Sequence, residues 1–338
     1  MSTRARILAS DMGNSSAYQN APHYASCNPC RLNLKPQGAI KAHNSGGSMK
    51  NRLLTILSLL LFVFCLAHSA SAGPIIIGGD DLNDHGFRDS SGANQQGWKY
   101  IERAIASINA QVTRPGASGI AVLGSQAPNP SNPYPNDGGG AINSAANVLG
   151  LNLTFYNGAT SITNFFTQLA NGTVNPAIIY IPGDQVGNDL DSSEGAVLTA
   201  NAAAIDNFVA SGGGLMSHGG ANSTVYGYLQ TLIPGIVLGS LCDAAGASLT
   251  SYGQSVFPTL TNADISAGPC HGSFSGNFGG LQVIALDGRN RPFILGGVGG
   301  SITQPPPSTV PEPTTMLLLG TGLAGMAGAI KRRQRRSK

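Results

Sequence analysis

The chain has 338 residues, of which only 10% are charged and 46 are glycine. Its formal net charge of +3 comes from the two ends, because the stretch from Gly73 to Thr309 holds six basic and fourteen acidic residues, a net charge of −8. An acidic body argues against a nucleic-acid partner, since phosphate binding needs a basic surface, and it leaves calcium or a cationic surface as partners. This composition is typical of a secreted, loop-rich protein of one or two domains.

The N-terminal part of the chain reads as a targeting signal. Residues 49–72 have the three parts of a secretory signal peptide: a basic start, an apolar run from Leu53 to Leu66, and an A-x-A sequence that ends at Ala72. The apolar run is shorter than the roughly 20 residues that span a bilayer. We therefore predict passage through the secretion translocon and cleavage by signal peptidase, which leaves Gly73 as the first mature residue. Residues 1–48 are polar and unpatterned, and we expect them to be a mis-assigned extension.

The body alternates continuous apolar runs, typical of buried parallel strands, with stretches of helical periodicity. Strands are predicted at residues 74–77, 120–123, 151–156, 177–181 and 215–217. Helices are predicted at residues 98–112, 141–149, 162–169, 198–209 and 224–232. A hairpin is predicted at 283–295, around the turn sequence at 287–290. The alternation predicts an α/β fold over residues 73–303, with a doubly wound, mostly parallel sheet that carries helices on both faces.

One succession of motifs resembles a known superfamily. A strand that ends in Pro182-Gly183 is followed by a helix that ends at the glycines of residues 212–214, and then by a strand that leads to Ser217 and His218. This order resembles the class I glutamine-amidotransferase-like superfamily, in which the last strand leads to the nucleophile. The amidotransferases have a cysteine there and a His-x-Glu pair later, and this chain has neither. The resemblance therefore implies a non-amidotransferase, ThuA-like branch, with Ser217 and His218 as catalytic candidates.

The ligand crevice of a doubly wound sheet lies at the carboxyl ends of its strands. Three loops predicted to meet there carry polar side chains: Asp80, Asp81, Asp84 and His85; Asp184, Asp189, Asp191 and Glu194; and Ser217 and His218. Within this set a ligand or metal site, for calcium or zinc, is predicted at Asp80, Asp81, His85, Asp184 and His218. The same groups could position a water for hydrolysis. The alternative is that they serve as turn and helix-cap residues.

The predicted mature body contains two cysteines, Cys242 and Cys270. An even pair in an exported protein predicts a disulfide. The residue after the second cysteine is His271, which lies in a segment rich in glycine and serine. Neither cysteine has the neighbours expected of a nucleophile.

The C-terminus has three parts. A Pro-rich linker from residue 304 ends in Val310-Pro311-Glu312-Pro313, an apolar stretch covers residues 314–330, and residues 331–338 are basic. The apolar stretch predicts a transmembrane helix that stops at a cytoplasmic basic cluster. The whole arrangement resembles the PEP-CTERM sorting signal of Gram-negative bacteria. That resemblance implies recognition by an exosortase-type membrane protease, removal of the tail, and delivery to the cell envelope or extracellular matrix. A plain tail anchor would explain the helix but not the Pro-Glu-Pro sequence.

Three functions remain open for the body. The missing nucleophile favours a non-catalytic envelope or matrix protein. The Asp/His loops favour an exported metal-dependent or hydrolytic enzyme. A carbohydrate-binding protein of the exopolysaccharide matrix is the third, although only Trp98 and the nine tyrosines of the chain are available for stacking on sugars.

Overall fold

The computed structural model describes residues 72–183, 189–240 and 242–297. The signal peptide before Ala72, the predicted site residue Asp184, and the sorting motif with its apolar stretch lie outside these ranges. Within them, no helix combines the length and apolar character that crossing a membrane requires.

The centre of the fold is an eight-stranded sheet in the order β5-β4-β6-β7-β1-β12-β11-β9. Its first five strands are parallel, and the last three are antiparallel. Their bounds are β1 Ile75–Gly78, β4 Ile120–Leu123, β5 Leu153–Tyr156, β6 Ile178–Ile181, β7 Gly214–His218, β9 Ser248–Leu249, β11 Gln282–Leu286 and β12 Pro292–Gly297. Two small antiparallel sheets pair β2 (Gly86–Arg88) with β3 (Asn94–Gln96), and β8 (Ile236–Gly239) with β10 (Ser273–Gly276).

Helices cover both faces of the sheet, as predicted. Their bounds are α1 Gly97–Asn109, α2 Gly138–Leu149, α3 Ala159–Ala170, α4 Ser192–Ala200, α5 Ala202–Ala210, α6 Ser223–Leu232, α7 Ser251–Val256 and α8 Asn262–Ile265. Alternate residues of a strand point to opposite faces. Accordingly, Ile75 and Ile77 pack in one buried cluster with α3 to α6, and Ile76 packs in the other with α1 and α2. The α/β class with a mostly parallel sheet is confirmed.

The element bounds correct the sequence reading in three places. The helix predicted at 198–209 is two helices, because the chain turns at Asn201, whose side-chain amide bonds the carbonyl of Val197. The helix predicted to reach residue 112 ends at Asn109, and the strand predicted from residue 151 begins at Leu153. The short elements β2, β3, β8, β9, β10, α7 and α8 were not predicted.

The strand order defines where a ligand would be expected. If β4 is counted as the first strand, β5-β4-β6-β7 has the 2-1-3-4 order of flavodoxin-like sheets, and β1 fills the place of the fifth strand. The chain leaves β4 in one direction for β5 and returns to its other side for β6, so the switch point lies between β4 and β6. The carboxyl ends of β4, β6, β7 and β1 share one edge, which we call the carboxyl edge.

Candidate functional site

The backbone after β1 positions the site. Gly78, the last residue of β1, pairs with His218, the last residue of β7. The segment that contains Cys270 and His271 then runs beside the chain after β1, with a bridge between Asp80 and Cys270. The backbone N–H of His271 donates to the carbonyl of Gly79 at 2.8 Å. Any side chain at Gly79 would collide with the carbonyl oxygen of Gly272, 2.2 Å from its Cβ position, so this close approach requires glycine.

The outer layer of the site is one carboxylate between two imidazoles. Oδ2 of Asp81 lies 3.1 Å from Nε2 of His85, and Oδ1 of Asp81 lies 3.1 Å from Nε2 of His271. The side chain of His85 is 36% exposed, whereas those of Asp81 and His271 are 9% and 7% exposed. We call Asp81, His85 and His271 the histidine–carboxylate cluster. His85 gives it contact with solvent.

The inner layer is sealed from solvent. Nδ1 of His218 lies 3.1 Å from Oδ1 of Asp80, and both side chains are only 1% exposed. Nε2 of the same histidine lies 3.3 Å from the hydroxyl of Tyr180. Burial raises the pKa of the Tyr180 hydroxyl well above its usual value, so it stays a neutral phenol. Among the residues that the structure describes, the buried atoms Oδ2 of Asp80 and Oη of Tyr100 have no hydrogen-bond partner. Asp80 and His218, two residues of the predicted ligand site, therefore lie together beneath the surface.

A concentration of carboxyl groups surrounds both layers. The pKa of Asp84 is raised to about 9, mainly by burial and in addition by the nearby charges of Asp189 and Asp81. Burial likewise raises the pKa of Asp189 to about 6, although hydrogen bonds from Ser125 and Gly138 oppose the shift. Asp84 is thus protonated at neutral pH. The carboxyl edge is therefore acidic, and its carboxyl groups lie close enough to one another to raise each other's pKa values.

The N-terminus of α2 at the switch point is already occupied. The N–H of Gly138 donates to Oδ2 of Asp189 at 2.8 Å, and the N–H of Gly140 donates to Oδ1 of Asp137 at 2.7 Å. The hydroxyl of Ser125, which follows β4, also donates to Asp189. A helix N-terminus after the first strand is where doubly wound folds commonly bind phosphate. Here the protein's own carboxylates take that position.

The two catalytic candidates at the end of β7 do not converge. The Ser217 hydroxyl donates to the backbone carbonyl of His218 and lies 2.7 Å from the hydroxyl of Tyr228 in α6. The His218 ring lies on the other face of the sheet, near Asp80 and Tyr180. Because neighbouring residues of a strand point to opposite faces, the imidazole of His218 cannot act as a base for Ser217.

Two of the predicted loop residues serve as a helix cap. Oδ1 of Asp191 accepts from the N–H of Glu194 at 2.8 Å, and Oε2 of Glu194 accepts from the N–H of Asp191 at 2.8 Å. This capping box begins α4. Glu194 also accepts from the N–H of Gly158, which joins α4 to the start of α3.

The described residues that were predicted to hold calcium or zinc lie in the two layers of the site. Across residues 72–183, 189–240 and 242–297, no group of three or more His, Cys, Asp or Glu side chains is arranged to hold a metal ion. In the histidine–carboxylate cluster, the two imidazoles approach different oxygens of Asp81. Asp184, which was predicted to contribute, lies outside these residues.

Sequence reasoning set His271 aside, yet the fold places it on Asp81. The signal that pointed to it was its position next to Cys270. Cys242 and Cys270 form a disulfide with a Cα–Cα distance of 5.7 Å, which holds this segment in place. Asn83 was also missed; its amide donates to Asp84, and its own carbonyl accepts the indole N–H of Trp98.

Comparison with known proteins identifies the C-terminus. Residues 309–335 match the family described as the PEP-CTERM protein-sorting motif. No curated protein and no solved structure matches the chain, so the amidotransferase-like resemblance of the body has no support from them. The predicted sorting signal is confirmed. The motif indicates export of the chain and exosortase-type sorting to the cell envelope.

Proposed function

We propose that the chain is an exported precursor whose tail is cut at the sorting motif by an exosortase-type membrane protease, and whose body is a non-catalytic protein of the envelope or extracellular matrix. The match of residues 309–335 to the sorting motif carries this proposal. The disulfide between Cys242 and Cys270 supports it, because such bonds persist in oxidising compartments outside the cytosol. Asp189, Asp191 and Glu194 support the non-catalytic reading, since they accept from backbone N–H groups at the starts of helices.

The positions of the first and last strands of the body also support a body that presents its carboxyl edge away from the sorting motif. Ile75, at the start of β1, pairs with Gly297, at the end of β12. The described chain therefore begins and ends at the amino edge of β1, opposite the carboxyl edge. The histidine–carboxylate cluster follows the carboxyl end of β1, on the side of the body opposite Gly297, the last described residue before the sorting motif.

The carbohydrate-binding alternative is not favoured, because Trp98, the residue best suited to stacking on a sugar, is buried. Trp98 is only 2% exposed, and its indole N–H donates to the carbonyl of Asn83 at 2.9 Å. Stacking on a sugar needs an exposed aromatic face. Tyr100, Tyr180, Tyr226 and Tyr228 are buried as well.

A hydrolytic enzyme is the second candidate, and a single observation favours it. Asp81 contacts both His85 and His271, and carboxylate–imidazole pairs are the usual means of orienting a histidine for proton transfer. In this candidate His85, which is partly exposed, takes a proton from an attacking water. Asp81 orients the ring and stabilises the imidazolium that forms.

Intact mass of the protein isolated from the envelope and the medium of its native host tests the first proposal. The expected species begins at Gly73 and ends before Thr314. A chain that still carries the signal peptide or the basic tail would contradict it. Assays with chromogenic esters, amides and glycosides test the second candidate, with His85→Asn as the matched control. Turnover by the wild type that the variant lacks would replace the non-catalytic reading of the body.

A further inference from the structure

Strand β5 is an open edge of the main sheet. Among the described residues it pairs with β4 alone, in a parallel register without a bulge. The carbonyls of Asn152 and Tyr156 accept hydrogen bonds from the β4 side, at 2.8 and 3.0 Å. Backbone groups of alternate residues in a strand point to the same neighbour. Leu153 and Phe155, which lie between, therefore turn their N–H and C=O groups outward, away from β4.

This edge lacks the features that commonly keep strands from pairing with another chain, which are charged side chains, proline or a bulge. The sequence of β5 is Leu-Thr-Phe-Tyr, and its central threonine, Thr154, is exposed. The strand at the other edge of the sheet, β9, is only two residues long and offers little backbone for pairing. Strand β5 is thus the edge of the main sheet that can receive another strand.

The surroundings of β5 are uncharged, although the body is acidic. Residues 138–183 contain no Asp, Glu, Lys, Arg or His, and they form α2, β5, α3 and β6. Because the body from Gly73 to Thr309 has a net charge of −8, two copies repel each other, and the repulsion is weakest where they meet through uncharged elements. Val148, near the end of α2, is a large apolar side chain that is 45% exposed. A second copy presents the same uncharged edge and therefore fits it.

We propose that β5 is a dimerisation edge, at which the β5 strands of two copies pair antiparallel across a twofold axis and join their main sheets into one. The register that uses every outward backbone group is centred on Thr154. In it, Leu153 of each copy exchanges both N–H···O bonds with Phe155 of the other. The two copies of Thr154 then face each other as a non-hydrogen-bonded pair, with Cα atoms about 4.5 Å apart.

A hollow beside the edge provides room for side chains of the second copy. Its volume is about 290 Å³, and its lining includes Asn152, Thr154, Tyr156 and Phe165. Residues that lie directly opposite each other in an antiparallel pair share one face of the sheet. In the proposed register, Tyr156 of the second copy lies opposite Asn152 and so reaches this hollow. The pairing therefore buries aromatic surface in addition to forming backbone hydrogen bonds.

Sedimentation of the processed protein over a range of concentrations tests the dimer. Thr154→Lys is the test variant and Thr259→Lys its matched control, because Thr259 is also exposed but lies between α7 and α8, on the β9 side of the sheet. We expect the wild type and the control to double in mass at high micromolar concentration. Thr154→Lys should stay monomeric, since two added positive charges would face each other across the axis. Added salt should strengthen the wild-type dimer by screening the repulsion between the acidic bodies.

Cross-linking through Thr154→Cys tests the register itself. The expected separation of about 4.5 Å lies within the range of roughly 4.4 to 6.8 Å that a disulfide spans between Cα atoms. With oxidised glutathione as the oxidant, Thr154→Cys should form covalent dimers at least about tenfold faster than Thr259→Cys, because pairing raises the effective concentration of the two thiols. A wild type that stays monomeric, or a dimer that salt weakens, would overturn the proposal. Equal cross-linking of the two cysteine variants, or an undiminished dimer in Thr154→Lys, would overturn it as well, because association would then use another surface.

Discussion

Replacement of Asp84 by asparagine should make the protein more stable at alkaline pH. The side chain of Asp84 is buried, accepts a hydrogen bond from Asn83, and is bonded to Asp81. Its pKa rises from 3.8 to about 9 in the folded protein, chiefly through burial. An asparagine has the shape of the protonated carboxyl group, since its amide can donate to Asp81 while its carbonyl oxygen still accepts from Asn83.

The direction of the pKa shift determines whether the free energy of unfolding rises or falls with pH. Between the unfolded and folded pKa values, the folded state keeps a proton that the unfolded chain has released, so the free energy of unfolding falls as pH rises. The slope is about 1.4 kcal/mol per pH unit for one proton. From about pH 7 to 8.5, where Asp189 is ionised in both states, the wild type should lose roughly 2 kcal/mol through Asp84. The asparagine variant should lose none of this free energy of unfolding, because it has no carboxyl group at residue 84.

Urea unfolding of both proteins at several pH values in this range measures the effect, with the disulfide kept oxidised throughout. Asp89→Asn is the matched control. Asp89 lies on the surface, and hydrogen bonds from Ser91 and Ala93 lower its pKa, so it is ionised in both states above neutral pH. The control should keep the wild-type slope. Parallel curves for the wild type and Asp84→Asn would refute the reasoning, because they would mean that Asp84 is ionised in the folded protein.

Three further changes have defined outcomes. Asp191→Ala removes the capping box of α4 and should lower the free energy of unfolding by about 1 kcal/mol, measured by urea unfolding; an unchanged midpoint would contradict the capping role. Ser217→Ala removes the hydroxyl that contacts Tyr228 and should destabilise by about 1 kcal/mol while any hydrolytic turnover stays intact, so loss of turnover in a folded variant would restore Ser217 as a nucleophile. Glu312→Ala disrupts the sorting motif and should leave the tail on the envelope-associated chain, as read by intact mass; normal processing would show that Glu312 is not recognised.

The sheet was largely predictable because its strands are buried on both faces. Residues 178–181 are a continuous apolar run, and the structure buries every side chain of that strand. The short elements escaped prediction for the opposite reason. Strand β3, Asn94–Gln96, is wholly polar, and strand β2, Gly86–Arg88, contains one exposed phenylalanine. Without an apolar period, only pairing between the two strands defines them.

The site was predictable where its residues share a loop or follow neighbouring parallel strands, as Asp80 and His218 do. Asp81 and His85 are four residues apart in one loop, and they contact each other as the grouping of that loop suggested. His271 reaches the same carboxylate from a distant segment, and its position next to Cys270 is the one feature of the sequence that points to it. The two catalytic candidates Ser217 and His218 lie on opposite faces for a reason already present in the sequence, because a strand sends adjacent residues to opposite faces.

The carboxylates at the switch point narrow the chemistry of the carboxyl edge. Asp189 occupies the first N–H of α2, and Asp137 caps the same helix, so a phosphate would have to displace one carboxylate and approach the other. The pKa of Asp84 is raised mainly by burial and in addition by the charges of Asp189 and Asp81, so one more negative charge on this edge is disfavoured. A phosphorylated or carboxylate ligand would meet the same repulsion. Ligands of this edge, whether bound by a matrix protein or turned over by an enzyme, are therefore expected to be neutral or cationic.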